Sequence, residues 1–288
     1  MRARVRDTEI YFDINGAGLV AEGSAMRERP VAFIIHGGPG EDHTGAKSAY
    51  GSLCERMQLV HFDHRGQGRS ARGDAAKYNL DENVADMEAL RRYLGLGPIV
   101  SIGTSYGGMV AMAHAARYPE GVSHLILVAT AAHGGYARRA MEFIVERGTA
   151  EQIAMCHDLF DGRIDSPEKM RKYFQVMGSL YFRVRGLGRP VMDMGEVILE
   201  PLPQNLAHGP GGFLRSFDLR PELSAIRAPT LILAGRYDWI CAPEFSSELH
   251  DLIGNSELRV FEDSSHAIGI DEPQRFKDLI FSFLLCGA

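Results

Sequence analysis

Gly103-Thr-Ser-Tyr-Gly107 stands directly after the apolar run 99–103 and just before the helix-like stretch 109–117. A serine at such a strand-to-helix turn has its hydroxyl pushed out beyond the end of the sheet. Only glycine at the flanking positions leaves room for that turn. The helix that follows aims N–H groups and the positive end of its dipole at any oxyanion nearby. The pentapeptide alone recurs by chance, and a structural turn with an idle serine is the competing reading. In its strand–turn–helix setting it marks Ser105 as a nucleophile.

Working outward, residues 31–35, 59–62, 125–128, 230–234 and 258–261 form further short apolar runs, each closed by glycine or a charged turn. Consecutive apolar residues, rather than alternating ones, suit parallel strands covered on both faces. Between them lie helical patterns. Residues 80–94 have an acidic start, a basic end and a 3.6-residue apolar stripe, and Asp271 with Pro273 predicts the start of a last helix. Strands alternating with helices predict a doubly wound α/β fold. The first residues, 3–5 and 10–14, read as an antiparallel hairpin at one edge. The alternation breaks over 133–221, where helical patterns (138–147, 168–180) and Gly/Pro-rich loops occur without a convincing strand. This stretch is close to neutral and reads as a helical insertion over the sheet edge where parallel strands place ligands.

The chain has 288 residues, a formal net charge of −6 and an ordinary globular composition, with 24% charged residues. Disorder and coiled-coil readings fall away, and a nucleic-acid binder would show a basic excess that is absent here. No apolar run approaches the ~20 residues of a bilayer helix, so no membrane association is expected. The basic first residues lead into no apolar segment of the secretory kind. Cys54, Cys156, Cys241 and Cys286 sit at no metal-ligand spacing, so free thiols in a reducing cytoplasm are expected, with no metal site.

The remaining chemistry lies at other strand ends. His36-Gly-Gly-Pro-Gly40 is a glycine-rich loop with no following lysine, which argues against a phosphate-binding loop. An acyl-transferring serine needs two N–H donors for its oxyanion: one from the residue after the nucleophile, Tyr106, the other from a loop after an early strand. Gly38 is the second, because Pro39 has no N–H. His36 reads as a packed support of the loop. Asp238 follows the run 230–234 and His266 follows 258–261, so both share the sheet edge with Ser105. In that order they complete a triad: His266 takes the serine proton, and Asp238 fixes the imidazole and stabilises its cation. Asp251 and Asp263 compete less well as the acid, because neither terminates a strand. Gly66-Gln-Gly-Arg-Ser-Ala71 resembles a dinucleotide fingerprint, but no helix is expected straight after it. A turn buttressing the site through Asp63 and Arg65 is the better reading, and no cofactor is called for.

Taken together, His36-Gly-Gly-Pro-Gly40, Asp63-His-Arg-Gly-Gln-Gly-Arg-Ser70, Gly103-Thr-Ser-Tyr-Gly-Gly108, Gly235-Arg-Tyr-Asp238 and Ser265-His266 resemble the proline iminopeptidase group of α/β-hydrolases. The resemblance runs from about residue 31 to the C-terminus. It implies an α/β-hydrolase fold: a mostly parallel eight-stranded core (1–132 and 222–288) with a helical cap (133–221). It implies also that acids in the cap and just after the triad aspartate hold a substrate's free amino end. Here Trp239 follows that aspartate, and Gly212 stands in the cap segment where the other acid is expected. Glu196, Glu200 and Asp218 are the candidate substitutes. Trp239 and the cap's Phe143, Phe174 and Met177, with Met141, Phe182, Met192 and Met194, would suit an apolar acyl or aryl group, or would simply be the cap's own core.

Three functions follow as expectations. The first is a cofactor-independent serine hydrolase acting on a small-molecule ester, lactone or amide. The second is a proline iminopeptidase. The third, of another class, is a small-molecule receptor with a vestigial triad.

Overall fold

Alternate residues of each central strand enter two different cores, one on either face of a single sheet. Phe33 and Ile35 pack on one side with Val60, Phe62, Leu125 and Leu127, while Ala32 and Ile34 pack on the other with Leu59, Ile102, Ile126 and Val128. This is why the strands read as unbroken apolar runs: neither face meets water. The structure is a computed structural model that describes residues 1–183 and 194–286. Its eight-stranded sheet has the order β1 (Arg2–Val5), β2 (Thr8–Asn15), β6 (Gln58–Phe62), β5 (Val31–Ile35), β7 (Ile99–Thr104), β8 (Val122–Val128), β9 (Thr230–Gly235), β10 (Ser256–Phe261). From β6 to β10 every pairing is parallel, and β2 is antiparallel to both its neighbours. The expected edge hairpin is therefore β1–β2. A second, exposed hairpin, β3 (Leu19–Glu22) with β4 (Ala25–Glu28), stands apart from the sheet.

The chain runs from β5 to β6 on one side and then to β7 on the other. The order therefore reverses between β5 and β7, where the carboxyl ends of parallel strands open a crevice. The loop 36–43 and Ser105 follow those two strands. Helix α1 (Thr44–Tyr50) continues the first; α2 (Leu80–Tyr93) and α3 (Tyr106–Arg117) cover one face. Asn79 caps α2 by accepting the Glu82 N–H at 3.0 Å, and Asp81, Glu82, Arg91 and Arg92 oppose the helix dipole at its two ends.

Between β8 and β9 the described residues contain no strand. They form α4 (Gly135–Arg147), α5 (Ala150–Phe160), α6 (Pro167–Tyr181), α7 (Pro201–His208) and α8 (Phe213–Ser216). The ends of this segment are tied together: His133 and Asp218 form an isolated antiparallel bridge, Gly134 N–H donates to Phe217 O at 3.0 Å and Leu219 N–H to Ala132 O at 2.8 Å. Helices α9 (Pro243–Leu252), α10 (Ile268–Asp271) and α11 (Pro273–Cys286) complete the chain. Asp271 ends α10 rather than opening the last helix, and its carboxylate accepts the Ser265 and Arg183 N–H groups at 2.8 Å each. No helix among the described residues is long and apolar enough to cross a membrane.

Candidate active site

Ser105 adopts φ 55° and ψ −121°, the cap position of α3, while its neighbours are packed against backbone. A Cβ on Gly103 would lie 2.2 Å from Gly107 O, one on Gly107 2.1 Å from Ile35 O, and one on Gly108 2.6 Å from Thr130 Cβ. The glycines of the motif are thus required by contact between β5, β7 and α3. Ser105 N–H donates to Val128 O at 3.0 Å, and its carbonyl accepts the Thr130 hydroxyl at 2.7 Å. The unusual backbone is held from both sides. Tyr106 opens α3, so its N–H belongs to the first turn and has no acceptor within the helix. Its ring is buried, with the hydroxyl receiving an Asn83 amide hydrogen bond at 2.6 Å.

The loop after β5 closes over this turn. The Cβ position of Gly37 lies 3.4 Å from Ser105 Cβ, and Gly38 has φ +101°, a conformation that glycine adopts without penalty. His36 does not face reacting atoms with a free ring edge. Its Nδ1–H donates to Gly37 O at 2.9 Å, and Nε2 accepts the His64 N–H at 3.3 Å. Burial lowers its pKa, so it stays neutral and holds the loop. Gly40 N–H donates to Gln67 Oε1 at 2.7 Å; Asp63 accepts the His43 N–H at 2.8 Å and the Arg69 N–H at 2.7 Å. The segment 63–70 is therefore a scaffold for the loop. Gly68 is required there because a Cβ would lie 2.4 Å from Asp63 Oδ2. Arg65 acts further back, bound to both oxygens of Asp86 at 2.6 and 2.7 Å.

Asp238 and His266 meet across the ends of β9 and β10. His266 Nδ1 donates to Asp238 Oδ2 at 2.8 Å, and Asp238 Oδ1 accepts the Ile240 and Cys241 N–H groups at 3.0 Å each. With Nδ1–H committed, the lone pair is on Nε2. The imidazole edge also rests on the ring of Tyr181, 5.3 Å between centroids. Asp251 and Asp263 are exposed and take no part. Ser105, Gly38, Tyr106 and His266 line one cavity of about 950 Å³ beneath the helical segment.

Of the apolar side chains expected around a substrate, Phe174, Phe182 and Met194 line this cavity; Phe143, Met177 and Trp239 do not. Met177 faces the other side of α6 and is wholly buried in the core. Phe143 borders a separate recess, with Arg147 over its ring. Trp239 is buried edge-on to Tyr181 because the turn wraps around the Asp238 carboxylate. Met192 lies outside the described residues. Glu200 pairs with Arg72, Asp218 with Arg220 at 2.6 Å, and Glu196 is exposed, so none of these acids reaches the cavity. A carboxylate that sequence reasoning passed over does reach it. Glu41 lines the cavity one residue beyond the glycine-rich loop, and burial, aided by neighbouring Asp42 and opposed by His266, pushes its carboxyl up to about 7. Its place directly after Gly40 was the available signal.

A family model described as the alpha/beta hydrolase fold matches residues 30–273. A proline iminopeptidase of Pestalotiopsis fici is 28% identical over 269 residues, covering 91% of this chain and 94% of its own. One from Lactobacillus helveticus is 26% identical over 268 residues, covering 89% and 90%. Among solved structures, VinJ superposes with a TM-score of 0.80 at 25% identity, and the proline iminopeptidase of Mycobacterium smegmatis with 0.77 at 23%; each comparison covers 100% of this chain and 98% of the other. The family match spans most of the sequence, and the protein therefore belongs to the α/β-hydrolase family and is a hydrolase resembling the proline iminopeptidases.

Proposed function

We propose that the protein is a serine hydrolase that cleaves a small carboxylic ester, lactone or amide through an acyl-enzyme on Ser105. The observation that carries this is Ser105, held at positive φ on the wall of a cavity that it shares with an imidazole hydrogen-bonded to Asp238. His266 Nε2 takes the serine proton as Oγ attacks the carbonyl carbon. The Gly38 and Tyr106 N–H groups receive the oxyanion, each worth about 3 kcal/mol in the barrier. The same proton passes from Nε2 to the leaving oxygen or nitrogen. Water then repeats the sequence on the acyl-enzyme and releases the acid. Asp238 keeps Nδ1 protonated and offsets the imidazolium charge.

In this reading residues 1–132 and 222–288 carry the chemistry, and 133–221 form a cap that shields it from water; the paired ends at His133 and Asp218 support that division. The partner is a small molecule, with a mainly apolar portion against Phe174, Tyr181, Leu214 and Ile240. Three unpaired cysteines, two of them buried, accord with a reducing cytoplasm. The relatives' names make release of N-terminal proline the second reading.

A fluorophosphonate should label Ser105 covalently and fail on Ser105→Ala. Turnover of p-nitrophenyl esters, lactones and a prolyl arylamide then ranks the substrates. Absence of both labelling and turnover would leave the receptor reading standing.

A further inference from the structure

The polar groups lining the cavity are unbalanced. Glu41 presents a carboxylate to it, and no hydrogen bond or ion pair to the described residues engages that carboxylate. Beside it Asp42 is already satisfied, by the Thr44 N–H and hydroxyl at 2.9 Å and by Arg69 at 2.6 Å. Gln204 of α7 packs against Gly40, its Cβ 3.0 Å from the position a Gly40 Cβ would take, and its buried Oε1 has no donor. No lysine or arginine among the described residues lines the cavity, whereas the rings of Tyr136, Tyr173, Phe174 and Tyr181 do. The hydroxyls of Tyr173 and Tyr181 are bonded to each other at 2.9 Å.

An acceptor-only carboxylate, an undonated amide oxygen and aromatic faces form an environment short of one positive, donor-rich group. We infer that Glu41 is the specificity-determining residue of this site, the counter-charge for a protonated amine on the substrate. The inference rests on the hydrolase reading above and narrows its substrate class to cationic esters or amides such as aminoacyl compounds. Position supports it, since Glu41 directly follows the loop that supplies Gly38. An amine bound there sits within electrostatic range of Ser105's reaction centre while leaving His266 to Asp238. The carboxyl, pushed up to about 7 in the empty cavity, ionises fully once a cation arrives.

Hydrolysis of L-phenylalanine p-nitroanilide and of its amine-free isostere, 3-phenylpropanoyl p-nitroanilide, tests this at pH 7. The unmodified protein should favour the amine by about tenfold to a hundredfold in kcat/KM, the range of a charge-assisted hydrogen bond. Glu41→Gln should reduce that ratio to near one, and Glu41→Asp should restore part of it. The fluorophosphonate labelling rate of each variant reports whether the serine site is still assembled. A ratio that survives Glu41→Gln overturns the inference. If neither anilide is cleaved and no label attaches, the hydrolase reading fails instead. Calorimetric binding of the same pair to the unmodified and Glu41→Gln proteins then still decides the charge preference.

Discussion

Ser105 is one of three non-glycine residues with positive φ, and the surrounding hydrogen bonds maintain it there. Such a conformation costs about 1–3 kcal/mol. Ser105→Gly should therefore abolish turnover and at the same time raise stability by about 1 kcal/mol in urea titration. An unchanged midpoint would mean the turn is relaxed. Gly107→Ala acts in the opposite sense, because backbone lies 2.1 Å from the new Cβ; a loss of about 3 kcal/mol or more is expected. Asp238→Asn keeps the shape of the side chain but replaces an acceptor of Nδ1–H with a group that can donate. kcat should fall ~10³–10⁴-fold while the urea midpoint moves little. A fall of less than tenfold would remove Asp238 from the mechanism.

At the level of elements, most of the sheet was legible because buried parallel strands leave a local mark: four to six apolar residues and then a glycine or charged turn. Strand β8 begins at Val122, three residues before the apolar run, since Ser123 and His124 are only partly covered. Helix α3 begins at Tyr106 although Gly107-Gly108 reads as a helix breaker; those glycines serve contacts to Ile35 and Thr130 that lie far away in sequence. The β3–β4 hairpin left no periodic signal because its residues are nearly all exposed. Helix α5 carries a capping box: the Thr149 hydroxyl accepts the Gln152 N–H at 3.2 Å, and the Gln152 side chain accepts the Thr149 N–H at 3.0 Å. Thr149→Ala should cost about 1 kcal/mol in thermal or urea unfolding, with little effect on kcat, since α5 contributes to the cavity wall chiefly through Leu159.

On the scale of the whole molecule, burial keeps several histidines uncharged. Desolvation lowers the pKa of His36 and His64, brings His61 to about 3, and brings His208 to about 4. The unfolded chain binds protons at these rings below ~6.5 and the folded chain does not, so their contribution to stability falls as pH drops from there toward 4. Glu41 has the opposite sign: its raised pKa makes the folded form hold a proton between the ordinary value of 4.5 and about 7, which favours folding as pH falls. Four histidines outweigh one carboxyl, and the urea midpoint at pH 5 should lie below that at pH 7.5. An equal or higher midpoint at pH 5 would show these rings charging without penalty.

The order of strands and helices, the serine turn and the strand-end positions of Asp238 and His266 were determined by the sequence alone. Each depends on short-range grammar: an apolar run, a glycine where a Cβ cannot fit, a polar residue just past a strand. Which side chains face the cavity was decided only by tertiary structure. Phe174 faces in while Met177, one turn further along α6, faces the core; Trp239 is turned away and Glu41 is brought to the wall. That outcome follows from how α6, α7, the loop after β5 and the loop after β10 pack against one another. These segments lie tens to hundreds of residues apart, and no local pattern encodes the space between them.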